Sequence, residues 1–172
     1  SLLSHEGTTE GGRAGPYASG PMGAALLDGK ALSQQVRQEV RDRIAAAGRP
    51  ARLDALLVGA DRPAELYAQN QARTCAEVGI EYVLHRLPAS AGYDDVAGRV
   101  LLLNAEDSVR ALMVHLPLPE GVPTERVQGM ISPDKDVEGV NPANIGNVVY
   151  GRSSLAPCTA LAVIKMVEHT GI

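Results

Sequence analysis

The sequence predicts an α/β fold: a three-layer sandwich in which strands of a parallel sheet alternate with helices along the chain. Three short apolar runs, at residues 53–58, 81–87 and 111–116, have the length and composition of strands. The segments between them carry apolar residues at helical spacing. Because strand and helix alternate, we expect parallel strands, each joined to the next by a helix.

The first helix is predicted over residues 33–47. Apolar residues recur there at every fourth position and form one stripe that we expect to be buried: Leu32, Val36, Val40 and Ile44. A glycine and a proline stop the pattern immediately afterwards. Further helices are predicted after Gly92, over residues 124–131 and over residues 159–169.

The most informative helix is predicted to follow the first strand, within residues 58–80. Asp61 is a candidate N-cap, and a proline is tolerated in the first turn. One face carries small residues that we expect against the sheet: Ala68, Ala72, Cys75, Ala76 and Gly79. The other face presents Tyr67 beside Asn70, Gln71 and Thr74. An aromatic ring beside amides suits a flat, hydrogen-bonding ligand; the alternative is a solvated face with an incidental tyrosine.

Composition narrows the class of protein. A chain of 172 residues with 45% hydrophobic content can bury one core, and a net charge of −4 with scattered basic residues argues against nucleic acid or an anionic membrane surface as a partner. No apolar run is long enough to span a bilayer. The spacing of Cys75 and Cys158 fits neither a metal site nor a redox motif, so we expect a reducing, cytoplasmic setting. Residues 1–22 are expected to be a flexible tail or a cloning remnant, and residues 23–172 a single domain.

The segment over residues 115–146 departs from the alternation, with a proline-rich strand exit and a charged turn. Ligands of open parallel sheets bind beyond the carboxyl ends of the strands. We therefore expect His115, the prolines after it and the loop at 134–139 to converge beside Tyr67. His115 could act as a proton shuttle there, or it could be structural.

The charged turn is predicted to be solvated and to hold no metal. Its acidic residues, Asp134, Asp136 and Glu138, lack the length and glycine placement of a calcium loop, and no paired histidines accompany them. The chain also contains no glycine-rich phosphate loop of the GxGxxG or GxxxxGK type. No dinucleotide site is therefore predicted from the motifs.

Taken together, six segments resemble, in order, the N-terminal folate-binding domain of the bifunctional methylenetetrahydrofolate dehydrogenase/cyclohydrolase family. They are LLDGKAL at 26–32, LLVGADRPAELY at 56–67, CAEVGI at 75–80, LNAEDSVRALMVHLPLP at 103–119, SPDKDVEGVNPANIG at 132–146 and PCT at 157–159. The resemblance implies a folate-binding α/β domain of a dimeric enzyme. It also implies an NADP or NAD cofactor, bound in the family by a Rossmann domain that would follow Ile172.

The resemblance also implies roles for individual residues. Tyr67 would stack on the aminobenzoyl part of the folate. The proline-rich segment after His115 and the charged loop at 134–139 would line the pterin pocket. The implied substrate-binding set is Tyr67, Leu116, Pro117, Leu118, Pro119, Asp136, Glu138 and Pro157. The implied catalytic positions are Tyr67, Gln71, His115 and Glu138.

Three of those positions depart from the family pattern. Gln71 stands where the family has its catalytic lysine, His115 where it has a glutamine, and Glu138 where it has an aspartate. The PCTPxG motif is also altered, with Ala160 and Ala162 in place of proline and glycine. Because an amide cannot titrate, we expect cyclohydrolase activity to be impaired.

Three functions stay open on this basis. The first is methylenetetrahydrofolate dehydrogenase chemistry in one-carbon folate metabolism, with a tetrahydrofolate derivative as substrate. The second is a folate-binding or regulatory paralogue without turnover, or an enzyme with an altered substrate. The third is a partner-binding domain with a vestigial pocket.

Overall fold

A computed structural model describes residues 27–152 and 155–170. That part of the chain contains the helices α1 Gly29–Ala47, α2 Arg62–Val78, α3 Tyr93–Ala105, α4 Thr124–Gln128, α5 Pro142–Val149 and α6 Cys158–His169, and the strands β1 Ala51–Val58, β2 Ile80–Leu87 and β3 Ala111–Val114. The predicted elements are confirmed to within a few residues; α5 was not predicted.

The predicted tail at residues 1–22 lies outside the described residues. None of the described helices is long and apolar enough to cross a membrane.

The three strands form one parallel sheet in the order β2-β1-β3, which confirms the predicted fold class. The chain leaves β1 toward β2 on one side and later returns to place β3 on the other. Because parallel crossovers share one hand, connections that run in opposite directions lie on opposite faces of the sheet. The carboxyl ends of β1 and β3 therefore flank a point where the winding reverses, and such points are where open α/β sheets bind ligands.

Each face of the sheet has its own apolar layer. On one face, the buried residues of β1 and β3 pack with α3, the turn before β3 and the segment around α4: Leu56, Val58, Val96, Val100, Leu103, Val109, Leu112, Val114, Val127 and Ile131. Side chains alternate along a strand, so Ala55 and Leu57 point to the other face, on which α2 packs.

The local sequence explains why α2 begins and ends where it does. Asp61 Oδ1 accepts the backbone N–H of Ala64 at 2.9 Å, and Pro63 lies in the first turn. At the other end Gly79 adopts a left-handed conformation, φ 83°, and its N–H donates to the carbonyl of Ala76. These caps fix the position of Tyr67 relative to the sheet.

The buried face of α2 differs in part from the predicted one. Ala68 and Cys75 are buried, as expected, but Ala76 and Gly79 are exposed and Ala72 is half-buried. The observed stripe is completed by Ala64 and Val78. Small side chains alone do not determine which face of a helix packs. The buried face is set by the positions that recur at intervals of three and four residues along the whole helix.

The buried stripe predicted for α1 is wrong. No residue of α1 is fully buried: Leu32, Val40 and Ile44 are half-buried, and Val36 is 38% exposed. The reason is that α1 packs against the helices α2 and α6 and lies outside the layer that covers the sheet.

Candidate ligand-binding site

Tyr67 and His115 meet at the carboxyl edge of the sheet. Tyr67 is 59% exposed on the second turn of α2, and its ring stands edge-on to His115, with centroids 5.7 Å apart and planes at 79°. His115 follows β3, is 3% exposed, and donates its backbone N–H to the carbonyl of Leu56 at 2.8 Å. The two residues predicted to converge here therefore do so, at the reversal point between β1 and β3.

A residue that sequence reasoning missed, Tyr82 of β2, completes this cluster. Its hydroxyl lies 2.9 Å from Nε2 of His115. Burial, assisted by the nearby Cys75 and Tyr67, raises the pKa of Tyr82 to about 12, so the phenol keeps its proton at neutral pH. The sequence signal that could have found Tyr82 is the alternation of side-chain direction along β2, which places Tyr82 on the face of the sheet that α2 covers.

His115 is held in its neutral form. Burial lowers the pKa of its imidazole, and the carboxylate of Glu65 opposes that change in part. Glu65 is itself bound by both terminal nitrogens of Arg86, with one of the two hydrogen bonds at 2.7 Å, and this hydrogen-bonded pair lowers the pKa of Glu65. The site therefore contains a buried imidazole and a half-buried phenol that share one hydrogen bond, with an ion pair nearby.

Gln71 faces inward, although it was predicted on the polar side of α2. It lies one turn after Tyr67 and is half-buried, at a spacing that continues the buried stripe between Ala68 and Cys75. Its Oε1 is fully buried and accepts no hydrogen bond from the described residues. A buried acceptor without a donor costs about 1–3 kcal/mol, so this atom lowers the stability of the folded chain unless a donor reaches it.

The acidic loop is not the solvated turn that was predicted. Asp134 is exposed, but Asp136 is fully buried. Its Oδ2 accepts the backbone N–H of Asn141 at 2.8 Å and the side-chain amide of Asn144 at 2.9 Å, while its Oδ1 is buried without a donor among the described residues. The loop thus presents a second unpaired acceptor.

Lys135 explains why this loop folds inward. Its Nζ donates to the carbonyls of Asn104 at 2.7 Å and Glu106 at 2.9 Å, which lie at the C-terminal end of α3. Its backbone carbonyl accepts the N–H of Leu112 at 2.7 Å, next to a bridge between Leu112 and Asp136. The carbonyl end of α3 therefore fixes the lysine, and the lysine brings the following aspartate beside β3.

Glu138 continues the same wall. Burial raises the pKa of its carboxyl group, the charge of Asp136 raises it further, and a hydrogen bond with the backbone of Val114 opposes both. Since Val114 directly precedes His115, Glu138 lies beside the Tyr67–His115 cluster.

The proline-rich exit of β3 lies next to these groups. The Leu116–Pro117 peptide is cis. Leu116 is 47% exposed and Pro117 is exposed, whereas Leu118 and Pro119 are half-buried and Leu118 packs against the core. Of these four residues, the first two therefore offer the most surface to a ligand.

Pro157 is brought to the loop by a glycine. Gly139 has φ +66°, and a Cβ there would lie 2.5 Å from the nitrogen of Pro157 and 2.6 Å from the carbonyl oxygen of Ala156. Only glycine allows this approach. The half-buried Pro157 is thus packed against the loop that contains Asp136 and Glu138.

Comparison with known proteins identifies the family of this fold and site. The family model described as "Tetrahydrofolate dehydrogenase/cyclohydrolase, catalytic domain" matches residues 27–138. The chain belongs to this family.

Individual relatives agree with that assignment. The chain is 37% identical over 150 residues to the bifunctional protein FolD of Polynucleobacter necessarius, covering 86% of this chain and 53% of the relative. It is 37% identical to the FolD protein of Moorella thermoacetica, over 88% of this chain and 55% of the relative. The chain therefore spans about half the length of the relatives it matches.

Solved structures place the same fold in the same family. The bifunctional FolD enzyme from Campylobacter jejuni superposes with a TM-score of 0.83 at 32% identity, over 86% of this chain and 54% of that one. The Trypanosoma brucei methylenetetrahydrofolate dehydrogenase-cyclohydrolase, solved with NADP cofactor and an inhibitor, superposes with a TM-score of 0.80 at 26% identity, over 87% of this chain and 52% of that one.

Substitution of Gly139 by alanine tests how tightly the loop and the segment before α6 are packed. We expect Gly139→Ala to lower the free energy of unfolding by about 2–3 kcal/mol, because the methyl group meets backbone atoms and the φ angle disfavours a side chain. Gly98→Ala in α3 is the matched control, since no atom lies within 4 Å of the new methyl group there; it should raise that free energy by about 0.5–1 kcal/mol. Urea unfolding measures both, and equal stability of Gly139→Ala and the parent would show that the close packing is not present.

Proposed function

We propose that residues 23–172 form the folate-binding domain of a methylenetetrahydrofolate dehydrogenase that acts in one-carbon folate metabolism. The observation that carries this proposal is the exposed ring of Tyr67, in edge contact with the buried His115 at the reversal point of the sheet. A tetrahydrofolate derivative is the substrate we propose for that surface. Membership of the tetrahydrofolate dehydrogenase/cyclohydrolase family supports this choice.

The hydrogen-bonding groups of the site match a pterin. A reduced pterin carries ring N–H groups and an amino group, which are donors, on a flat heterocycle. Two oxygens of the described residues, Oε1 of Gln71 and Oδ1 of Asp136, are buried without a donor, and the carboxyl group of Glu138 lies near Asp136. A ligand that donates to these atoms would remove the cost of leaving them unpaired.

The aminobenzoyl part of the substrate would lie on Tyr67, the side chain in the cluster with the largest exposed ring surface. The proline-rich exit, Leu116 to Pro119, and Pro157 would close the sides of the pocket. We assign the reacting part of the substrate to the space among Tyr67, Gln71, His115 and Glu138.

Gln71 is the reason to favour dehydrogenase over cyclohydrolase chemistry. An amide can position a carbonyl or a water molecule but cannot take a proton from attacking water, and loss of a general base typically costs about 10²–10⁴-fold in rate. Hydride transfer depends mainly on the relative position of donor and acceptor, so it can persist without a titrating group at this position. We therefore propose impaired cyclohydrolase activity.

His115 is the titratable group that remains at the centre of the site. Its neutral imidazole can accept a proton, and the hydrogen bond to the hydroxyl of Tyr82 fixes its ring. We propose that His115 handles protons in the pocket and that Tyr82 is a positioning residue that acts through it.

We assign no NADP or NAD site to the residues that the structure describes. The turns that follow the strands contain no GxGxxG spacing, which a dinucleotide-binding turn uses to approach the pyrophosphate. The roles we propose for the residues of this chain are binding, orienting and proton handling. A cytoplasmic homodimer remains part of the proposal, consistent with the family resemblance.

A folate-binding module without turnover is the second candidate. The observation that favours it is again Gln71, since a pocket that keeps its acceptors but has an amide at this position can bind without reacting.

Removal of the Tyr67 ring tests folate binding directly. We expect the purified chain to bind a stable 5,10-bridged tetrahydrofolate analogue saturably by calorimetry, and we expect Tyr67→Ala to weaken that binding about tenfold or more, because the stacked surface is lost. Tyr150→Ala is the control, since Tyr150 is 78% exposed at the end of α5 and takes no part in the proposed site. Equal affinity of Tyr67→Ala and Tyr150→Ala would remove the proposed ligand position.

The pH dependence of stability tests the buried imidazole. Because burial lowers the pKa of His115 below its ordinary 6.5, the unfolded chain takes up the proton first as the pH falls. The folded state should therefore lose stability below about pH 6.5, and His115→Gln should lack that part of the loss. Urea unfolding from pH 7.5 to pH 5 measures it, and the raised pKa of Glu138 acts in the opposite direction in both proteins. Identical pH slopes would contradict a buried, neutral His115.

A further inference from the structure

A separate cavity of about 550 Å³ lies at the opposite edge of the sheet, where the strands begin. Its walls are the C-terminal half of α1, the turn before β1, the first residues of β1 and β2, and the turn before β3. An eight-residue strand is about 25 Å long, so β1 separates this cavity from Tyr67 at its other end. The two sites are therefore distinct.

The floor of the cavity is apolar. Val40 and Ile44 of α1 face Ile80 at the start of β2 and the fully buried Val109. None of these side chains can form a hydrogen bond, so the floor favours an apolar or aromatic group.

The rim of the cavity is cationic. Arg43, Arg49 and Arg110 line it, and no described residue forms an ion pair or a side-chain hydrogen bond with any of the three. Of the other arginines that the structure describes, Arg37, Arg52 and Arg86 form ion pairs, with Glu77, Asp54 and Glu65, and the rest do not. In a chain with a net charge of −4, three arginines without acidic partners around one cavity form a local positive field.

The other charged groups on the rim do not cancel that field. The ammonium group of Lys135 donates its hydrogen bonds to the backbone carbonyls at the end of α3. Asp134 is the one acidic residue among those that line the cavity. The carbonyls that accept from Lys135 carry no net charge, so Lys135 adds to the field; the lining residues carry four positive charges and one negative charge, an excess of three.

We propose that this cavity binds a small organic anion, with its apolar or aromatic body on the floor and a phosphate or carboxylate head among Arg43, Arg49 and Arg110. Guanidinium groups bind both heads through paired N–H donors. The volume lies within the range of about 300–1,000 Å³ that is usual for small-molecule sites. The site goes beyond the proposed folate function and does not depend on it.

Calorimetric titration of the chain with phenyl phosphate, at low ionic strength, tests the proposal. Phenyl phosphate should bind saturably and about tenfold more tightly than inorganic phosphate, because only phenyl phosphate has a ring that can pack on the apolar floor of the cavity. Benzoate, titrated in parallel, shows which of the two head groups the rim prefers.

Two variants with opposite expected effects keep the test independent of folding. Arg110→Glu should weaken phenyl phosphate binding about tenfold, and Asp134→Asn should tighten it about two- to threefold, since each changes the charge on the rim. Arg73→Glu is the control for the first: it makes the same charge change on an exposed arginine of α2 that does not line the cavity. Absence of saturable binding at about 10 mM ligand, or equal affinities of Arg110→Glu and Arg73→Glu, would overturn the proposal.

Discussion

The shared handedness of the two crossovers, from β1 to β2 and from β2 to β3, is the constraint on which the rest of the structure depends. Because one connection leads to β2 and the later one to β3 on the other side, their helices must cover opposite faces of the sheet. The carboxyl ends of β1 and β3 are then not covered by a helix and remain accessible to a ligand. Tyr67 reaches that opening from α2 and His115 from β3, so the topology brings together residues 48 positions apart in sequence.

The site that forms there holds unpaired acceptors at a cost in stability. Gln71 and Asp136 each bury an oxygen without a donor among the described residues, while Lys135 and Gly139 hold the acidic loop against β3 and Pro157. Such groups are disfavoured in a folded protein unless something else satisfies them. A donor-rich, flat ligand is the simplest partner for them, and the folate proposed above is such a ligand.

Much of this arrangement could be predicted from the sequence, and the rest could not for identifiable reasons. Apolar periodicity placed the strands and most helices, and the strand-end rule placed Tyr67 and His115 together. The inward turn of Gln71 was missed because an amide in a helix normally faces water, and the burial of Asp136 because its charged neighbours resemble a solvated turn. Tyr82 was missed because its partner lies two strands away in the sheet, and sequence spacing carries no information about that contact.

The most direct measurement is a crystal structure of the chain in complex with a stable 5,10-bridged tetrahydrofolate analogue. We expect the benzoyl ring on Tyr67 and pterin N–H groups about 2.9 Å from Oε1 of Gln71 and Oδ1 of Asp136. A folate bound away from Tyr67, or a pterin that leaves both oxygens to water, would contradict it.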